Sequence, residues 1–304
     1  MKVITWLGIG LLLQCGVAAL LWMNDGGDSV VTSAWQVQQN DITRLALSTQ
    51  SEEAEQSVAL IKSGDNWTLE SHPGLAVDQS KVQRVLTQLS RLSMRFPETT
   101  SQASHTRFKV AQDDYALRLD LGDAGQLYVG NTPAFKQVYV RPGEGNEVYR
   151  VELNRYDLST ELESWLEADL LSLDEVSRIR VGDSQLIKQE ERWALRKAGE
   201  ELSDSLDTDS LKAALRTLET LRVGAVSQAS LEVVASFEAG DDDMLSRYEL
   251  ARKNDQYWVR KAGIEGYWFK LPQSDFTALQ PLSDPEQLLV SDNPQQNASE
   301  QTSD

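Results

Sequence analysis

Two decapeptides in this chain share a pattern that constrains its fold more than any other feature. LIKSGDNWTL (60–69) recurs as LIKQEERWAL (186–195), with the Leu-Ile-Lys triplet, the tryptophan and the final leucine at the same spacing. Each has an apolar run, a polar turn and a second run in which Trp67 or Trp193 alternates with polar neighbours. A period of two is typical of half-buried strands. The repetition therefore predicts one strand-turn-strand unit built twice.

A helical pattern follows each of these strand pairs. VDQSKVQRVLTQLSRL (77–92) aligns without a gap with LDTDSLKAALRTLETL (206–221), and apolar residues recur at i, i+3, i+4, i+7 and i+10 in both. This spacing predicts an amphipathic helix, and Asp78 and Asp207 are placed to cap its N-terminus. The apolar positions are Val82, Val85, Leu86, Leu89 and Leu92 in the first helix, and Leu211, Ala214, Leu215, Leu218 and Leu221 in the second.

Short alternating runs bounded by Gly, Pro, Asp and Asn complete each unit as further strands. The predicted fold class is α+β, with two tandem copies of a module made of an antiparallel sheet and one packed amphipathic helix. We place the copies at 36–171 and 172–283, after a linker at 24–35. Residues 284–304 are acidic and rich in Gln, Asn and Ser, which predicts a disordered tail. The runs are 42–47, 116–121, 126–130, 136–141 and 147–153 in the first copy, and 176–181, 247–251, 256–260 and 266–271 in the second.

The N-terminal segment carries a strong membrane signal. Residues 3–23 have no formal charge, and a helix of this length reaches about 31 Å, close to the thickness of a bilayer core. The run is longer than the apolar part of a cleaved signal peptide and lacks a clear cleavage site, and Gln14 before Cys15 does not suit a lipoprotein. We therefore expect residues 1–23 to be a transmembrane signal anchor, in preference to a buried core helix. Lys2 would stay in the cytoplasm, with the body on the far side of the membrane, in the periplasm or outside the cell.

The charge balance narrows the range of partners. The formal net charge is −18, so we expect no nucleic-acid binding, because such a surface repels phosphate backbones. The bilayer, contacted through residues 3–23, is one expected partner. Metal-binding and nucleotide-binding motifs are missing from the sequence, so we predict no cofactor.

Few residues invite a catalytic interpretation. His72 and His105 lie in polar segments and are expected to be exposed loop residues. Asp157 and Asp275 occupy equivalent positions after a strand, where helix capping is a better explanation than a catalytic pair of acids. Asp241, the first of three adjacent aspartates, is expected to belong to a solvated turn.

Aromatic residues concentrate on two neighbouring strands near the end of the body. Tyr257, Trp258, Tyr267 and Trp268 lie in the runs QYWVR and GYWFKL. Alternate members are expected to fill the core, while the outward ones form a partner-contact surface.

With these elements the chain resembles a family of bacterial membrane-anchored proteins, the domain-of-unknown-function family 4340 (DUF4340). The resemblance rests on the N-terminal anchor, ITRLAL, NWTLE, LYVG, VYVRPGEGNEVYRVEL, ESWLEADLLSLDEVSRIRV and RWALRK, and spans most of 36–283. It implies an extracytoplasmic accessory to an ABC-type transport system similar to the gliding-motility one, with transporter subunits as partners. It brings no catalytic residues.

Two functions of different classes follow from these observations. The first is a membrane-anchored, non-catalytic accessory or binding module outside the cytoplasm. The second is an extracytoplasmic hydrolase that acts on cell-envelope glycans through carboxylates, because so acidic a chain offers many pairs. The first is favoured, since no spacing singles out a pair of acids.

Overall fold

The computed structural model describes residues 35–50, 56–190, 192–202, 206–241 and 244–289. This part of the chain forms two antiparallel sheets with a few helices packed against them. The strands of the first sheet are β1 Arg44–Thr49, β2 Gln56–Ser63, β3 Asn66–Leu69, β4 Pro97–Thr99, β5 Leu117–Asp120, β6 Gln126–Val129, β7 Gln137–Pro142 and β8 Val148–Glu152. Those of the second are β9 Arg178–Val181, β10 Ser184–Gln189, β11 Arg192–Lys197, β12 Glu200–Glu201, β13 Val226–Ser227, β14 Val233–Asp241, β15 Met244–Lys253, β16 Gln256–Lys261 and β17 Trp268–Leu271. The helices are α1 Gln79–Ser90, α2 His105–Phe108, α3 Thr208–Thr220 and α4 Gln273–Leu279, joined by short 3-10 turns.

The first sheet has the strand order β3-β2-β1-β5-β6-β7-β8-β4. Three strands run as a meander, α1 follows, β4 adds to the far edge beside β8, and β5–β8 form a second meander. Leu60 lies opposite Leu45 on one side and Leu69 on the other. Residues directly opposite in a ladder share a face, so this register gathers the leucines on the face that α1 covers.

The second sheet has the strand order β12-β11-β10-β9-β14-β15-β16-β17-β13. Apart from β12, its elements follow the same order along the chain as those of the first sheet: three strands, then α3, then a short edge strand, then a four-stranded meander. Leu186 lies opposite Ile179 and Leu195, as Leu60 does with its two leucines. The two decapeptides that share a pattern thus occupy equivalent places in the two strand orders.

β14 is the longest strand that the sequence patterns did not predict. Val233–Asp241 pairs with both β9 and β15 and so joins the two parts of the second sheet. Its inward side carries two alanines around Phe237, and alanine is a weak strand signal. For that reason the periodicity of this segment did not predict a strand.

Both long helices match the predicted pattern. The Asp78 side chain accepts a hydrogen bond from the Lys81 N–H at 2.8 Å, and the Asp207 side chain accepts from the N–H groups of Asp209 and Ser210 at 3.1 Å. These contacts confirm the predicted caps. The predicted apolar faces are buried, with Leu215 half-buried.

One apolar core runs through both sheets. Where the chain passes from one sheet to the other, the Tyr248 hydroxyl donates to the Leu171 carbonyl at 2.7 Å, and the Leu173 N–H donates to the Leu218 carbonyl at 3.1 Å. The Tyr267 ring lies 5.4 Å from the His72 ring. These contacts tie the first half of the chain to α3 and to the second sheet.

Two residues that lie outside the predicted copies pack into the folded body. Trp35, assigned to the linker, is buried and its indole donates to the Leu89 carbonyl at 2.7 Å. Leu288, assigned to the tail, is buried, and its carbonyl accepts from the Asp207 N–H at 2.6 Å. In both segments an apolar side chain packs into the core, although most of the neighbouring residues are polar.

The predicted anchor at 1–23 lies outside the described residues, as does most of the predicted tail. Within the ranges described, no helix is long and apolar enough to cross a membrane.

Candidate functional site

Each sheet has an inner face, which carries the core, and an outer face. Over β6, β7 and β8 the outer face of the first sheet is covered by residues 100–116, which we call the cover segment. The Tyr115 and Tyr128 rings lie 5.6 Å apart, and the Phe108 and Tyr139 rings 4.4 Å apart. Together with Val110 and Val148 these residues form a second, small core.

Arg141 joins this small core to the cover segment. Its side chain is buried, its Nε donates to the Val110 carbonyl at 2.7 Å, and its Nη1 donates to the carbonyls of Pro142, Gly143 and Gly145. The guanidinium carbon lies 4.3 Å from the centroid of the Tyr128 ring. Burial lowers the pKa of Arg141 from its usual value, but carbonyl acceptors surround the cation. The charged side chain of Arg141 therefore stabilises the packing of the cover segment on the first sheet.

The outer face of the second sheet has no such cover among the described residues. Between α3 and β14 the chain adds only β13, which extends the edge beside β17. We call this outer face the open face. Cross-strand register assigns its side chains. They include the apolar residues Ile187, Ala194, Leu245, Ala251, Trp258 and Trp268, the basic residues Arg178, Arg180, Arg192, Arg196, Arg247, Arg260 and Lys270, and the acidic residues Glu201, Glu238 and Glu249.

The open face is basic, although the chain as a whole is strongly acidic. One register line crosses six strands through Glu201, Arg196, Gln185, Arg180, Glu238 and Arg247. Its ion pairs are half-exposed, as between Arg180 and Glu238, and exposed pairs typically stabilise a fold by only about 0–1 kcal/mol. Fold stability therefore does not account for so many arginines on one face.

One cluster of ion pairs on the open face surrounds Glu249. Its carboxylate forms an ion pair with Arg247, with Nε at 3.2 Å, and accepts a hydrogen bond from Arg260 Nε at 2.8 Å. The Arg260 guanidinium carbon lies 4.7 Å from the centroid of the Trp268 ring. One carboxylate thus pairs with two guanidinium groups, of which that of Arg260 lies over Trp268, and the two arginines and one glutamate keep a net positive charge.

Two features of this face leave room for a ligand group. A cavity of about 340 Å³ lies beside the cluster, lined by residues that include Arg247, Arg260 and Ile264. On β9, Arg178 Nε is buried without a hydrogen-bond partner among the described residues. A buried donor without an acceptor costs free energy, so this position favours the arrival of an acceptor.

The four aromatic residues predicted from the sequence divide between the two faces. Trp258 and Trp268 lie on the open face, the first half-buried and the second 3 % exposed beneath Arg260. Tyr257 packs against Phe276 at 4.7 Å on the inner side. Tyr267 is buried in the main core. Tyr257 and Tyr267 therefore belong to the core, and of the four Trp258 offers the most accessible contact on the open face.

Three expectations about polar residues are wrong. His105 is buried rather than exposed, with Nε2 2.8 Å from the Asn146 carbonyl oxygen, because it lies in the cover segment, which packs onto the first sheet. Asp157 and Asp275 lie within the first turn of their helices instead of capping them, and the N-cap residues are Asn154 and Pro272. Asp157 instead accepts a hydrogen bond from Gln88 Nε2 on α1 at 2.8 Å.

The described residues contain no cluster of three or more His, Cys, Asp or Glu side chains suited to a metal ion. Among their carboxyl groups, Glu167 has a raised pKa, caused first by burial and then by Asp78 and Asp169. Asp78 is engaged as the cap of α1. Glu167 is thus the first carboxyl group to replace in a test of the hydrolase hypothesis.

The arginines of the open face were missed by the sequence-based reasoning. The signal was present in the alternation of arginine with apolar residues in RIR (178–180) and RWALR (192–196). Each strand alone reads as an ordinary half-exposed strand. The face becomes basic only when the strand order places β9, β11, β15 and β16 in one sheet.

Fold and site together define a sheet-rich α+β protein whose second sheet has an arginine-rich outer face that none of the described segments covers. The profile of the family described as Domain of unknown function (DUF4340) matches residues 67–239. That is more than half of the chain, which therefore belongs to this family. The match runs from β3 to β14 and so includes parts of both sheets. No relative among curated proteins and no solved structure matches the chain.

Proposed function

We propose that this protein is a membrane-anchored, non-catalytic accessory or binding module that acts outside the cytoplasm. The observation that carries the proposal is the open face, where arginines accumulate around the half-buried Trp258 in a number that the stability of the fold does not explain. Arg and Trp are enriched at the centres of protein interfaces. A sheet face with paired guanidinium groups provides area and directed donors, which binding requires.

The anchor and the partner extend this proposal. Residues 1–23 would hold the body at the bacterial inner membrane, and tethering would raise the local concentration of the body near a membrane partner. An ABC-type transport system is the partner that the family resemblance suggests. Deleting residues 1–23 should therefore abolish function in cells even when the body is exported by a cleavable signal.

We also propose that 36–171 and 172–283 are tandem copies of one module. The equivalent strand orders, the two aspartate-capped helices and the shared decapeptide pattern support this. An experimental structure tests it by superposition of β1–β3, α1 and β5–β8 on β9–β11, α3 and β14–β17. If α1 and α3 held unrelated topological positions, the two patterns would be coincidental.

Crosslinking in native membranes, followed by mass spectrometry of the adducts, tests the functional proposal. We expect transporter subunits or another membrane protein to be captured. Replacement of Glu167 by Gln should leave activity in cells unchanged, because binding through a sheet face needs no acid of raised pKa. If Glu167→Gln abolished a measurable glycan hydrolysis in a folded protein, the hydrolase function would replace the binding one.

A further inference from the structure

We infer that the open face binds an acidic polypeptide segment of a partner protein, which covers it as the cover segment covers the first sheet. This inference rests on the proposed binding function and names the surface and the chemistry of the partner. Four observations carry it: the local charge, the apolar centre, the available area and the comparison with the first sheet.

The charge of the open face selects an anionic partner. The basic residues on this face outnumber Glu201, Glu238 and Glu249, in a chain whose net charge is −18. Complementary potentials raise association rates and exclude partners of the same sign. Carboxylates match guanidinium groups in geometry and can be bound with two parallel hydrogen bonds.

The apolar residues favour a protein over a lipid surface or an anionic glycan. Ile187, Leu245 and Trp258 are half-buried on the open face, among the arginines. Glu238 and Glu249 lie between the arginines and would repel a polymer of uniform negative charge. A protein segment with carboxylates around apolar side chains satisfies both kinds of group.

The area is sufficient for a protein partner. Without its two edge strands β12 and β13, the second sheet has seven strands. They span about 29 Å across the strands and about 20 Å along them, which gives a face of about 600 Å². Stable protein interfaces bury about 600–1,000 Å² on each partner. The face is thus at the lower end of the range for a specific complex.

The first sheet shows how such a face is covered by polypeptide. There, aromatic rings of the cover segment pack at a tilt against Tyr128 and Tyr139, and the Val110 carbonyl accepts from Arg141. The open face has groups of the same kinds: the half-buried Trp258, Arg260 over the buried Trp268, and Arg178, whose buried Nε has no acceptor among the described residues. A partner segment would supply the carbonyl and carboxylate acceptors that the chain's own cover supplies in the first sheet.

Site-specific photo-crosslinking of the full-length chain in native membranes tests this inference. A photoreactive amino acid replaces Gln185 or Ser236, both on the open face, or Ala213, an exposed control position on α3. We expect protein adducts from the two open-face positions and none from Ala213, with the crosslinked peptide of the partner rich in Asp and Glu. Adducts made of lipid or glycan at Gln185 and Ser236 would overturn the inference.

Charge reversal adds a matched control. Arg192→Glu with Arg247→Glu should reduce the adduct yield from Gln185 at least about tenfold. Lys212→Glu with Arg216→Glu on α3 changes the net charge equally and should leave the yield unchanged. Equal trypsin resistance in membranes shows that both variants fold. If the adduct yield from Gln185 stayed the same in the Arg192→Glu, Arg247→Glu variant, the inference would be contradicted.

A purified probe separates the chemical alternatives. Full-length protein in detergent should bind a synthetic peptide of repeated Glu-Leu-Glu-Gly units, more weakly as salt rises, and should not bind its Lys-Leu-Lys-Gly counterpart. Stronger binding to phosphatidylglycerol vesicles than to the acidic peptide would identify a membrane surface instead and reject the inference.

The crosslinking experiment also separates this inference from the proposed function. Protein adducts from Ala213 alone would keep the proposed binding function while rejecting this face. An absence of protein adducts from all three positions would reject both.

Discussion

Arg141 on β7 and Arg260 on β16 occupy similar places in the two sheets and serve different purposes. Each is the last residue but one of its strand and follows a valine, and each lies over an aromatic ring of a neighbouring strand, Tyr128 at 4.3 Å or Trp268 at 4.7 Å. Arg141 is buried by the cover segment and donates to carbonyls. Arg260 stays on the open face, held by Glu249.

The cause of this difference is the length of chain between the helix and the following meander. The first sheet has residues 91–116 for this connection, enough for a cover with its own small core. The second has only 221–232, which suffices for the two-residue β13. The outer face of β6–β8 is therefore covered in the first sheet, whereas none of the described segments covers the outer face of the second.

The largest expected effect comes from removing the ring at the centre of the covered face. Tyr128→Ala should destabilise the protein by about 3–5 kcal/mol, because a buried aromatic leaves a cavity and Arg141 loses its stacking partner. Trp258→Ala on the open face should cost about 1 kcal/mol, since the ring is half-exposed. Urea unfolding of both variants measures the difference, and equal losses would show that the two outer faces are packed alike.

The paired helices provide the next test. Leu86→Ala should cost about 2–5 kcal/mol, because Leu86 is buried on α1. Leu215→Ala, at the matching position of α3, should cost about 1–2 kcal/mol, because Leu215 is half-buried and leaves a smaller cavity. Thermal unfolding of the two variants side by side checks the order. A larger loss from Leu215→Ala would mean that α3 is packed more tightly than the structure indicates.

The two arginines should separate stability from binding. Arg141→Ala should destabilise by about 2–3 kcal/mol, through the loss of hydrogen bonds from a charged donor to buried carbonyls. Arg260→Ala should change stability by less than about 1 kcal/mol, because its ion pair is partly exposed. Denaturant titration gives both values, while the adduct yield on the open face should fall only for Arg260→Ala. If both variants lost about the same stability, Arg141 and Arg260 would have the same structural role.

The smallest effect concerns the contact between the halves. Burial lowers the pKa of His72 from its usual 6.5, so the folded protein favours the neutral imidazole next to Tyr267. The contribution of His72 is therefore present above the unfolded pKa and is lost as pH falls through the lowered folded pKa. Thermal unfolding at neutral pH and at about pH 5 should show a slightly smaller decline for His72→Gln than for the unchanged protein. An identical decline would mean that protonation of His72 does not act on this contact.

Local patterns predicted much of the fold. The helices α1 and α3, their aspartate caps and the paired strands around Trp67 and Trp193 follow from spacing alone. The patterns failed at β14, whose alanines weaken the strand signal, and at His105, whose polar neighbours suggested an exposed loop. In both places long-range contacts decided the outcome.

By itself, the sequence determined which segments become strands or helices and which of their sides is apolar, because these depend on neighbours within a few residues. Whether an outer face is covered depends on strand order and on where a distant segment comes to lie. The sequence places Arg180, Arg196 and Arg247 in three separate strands, each with an ordinary alternation. Only the tertiary structure brings them onto one register line, because pairing between strands is set by contacts among residues far apart in the chain.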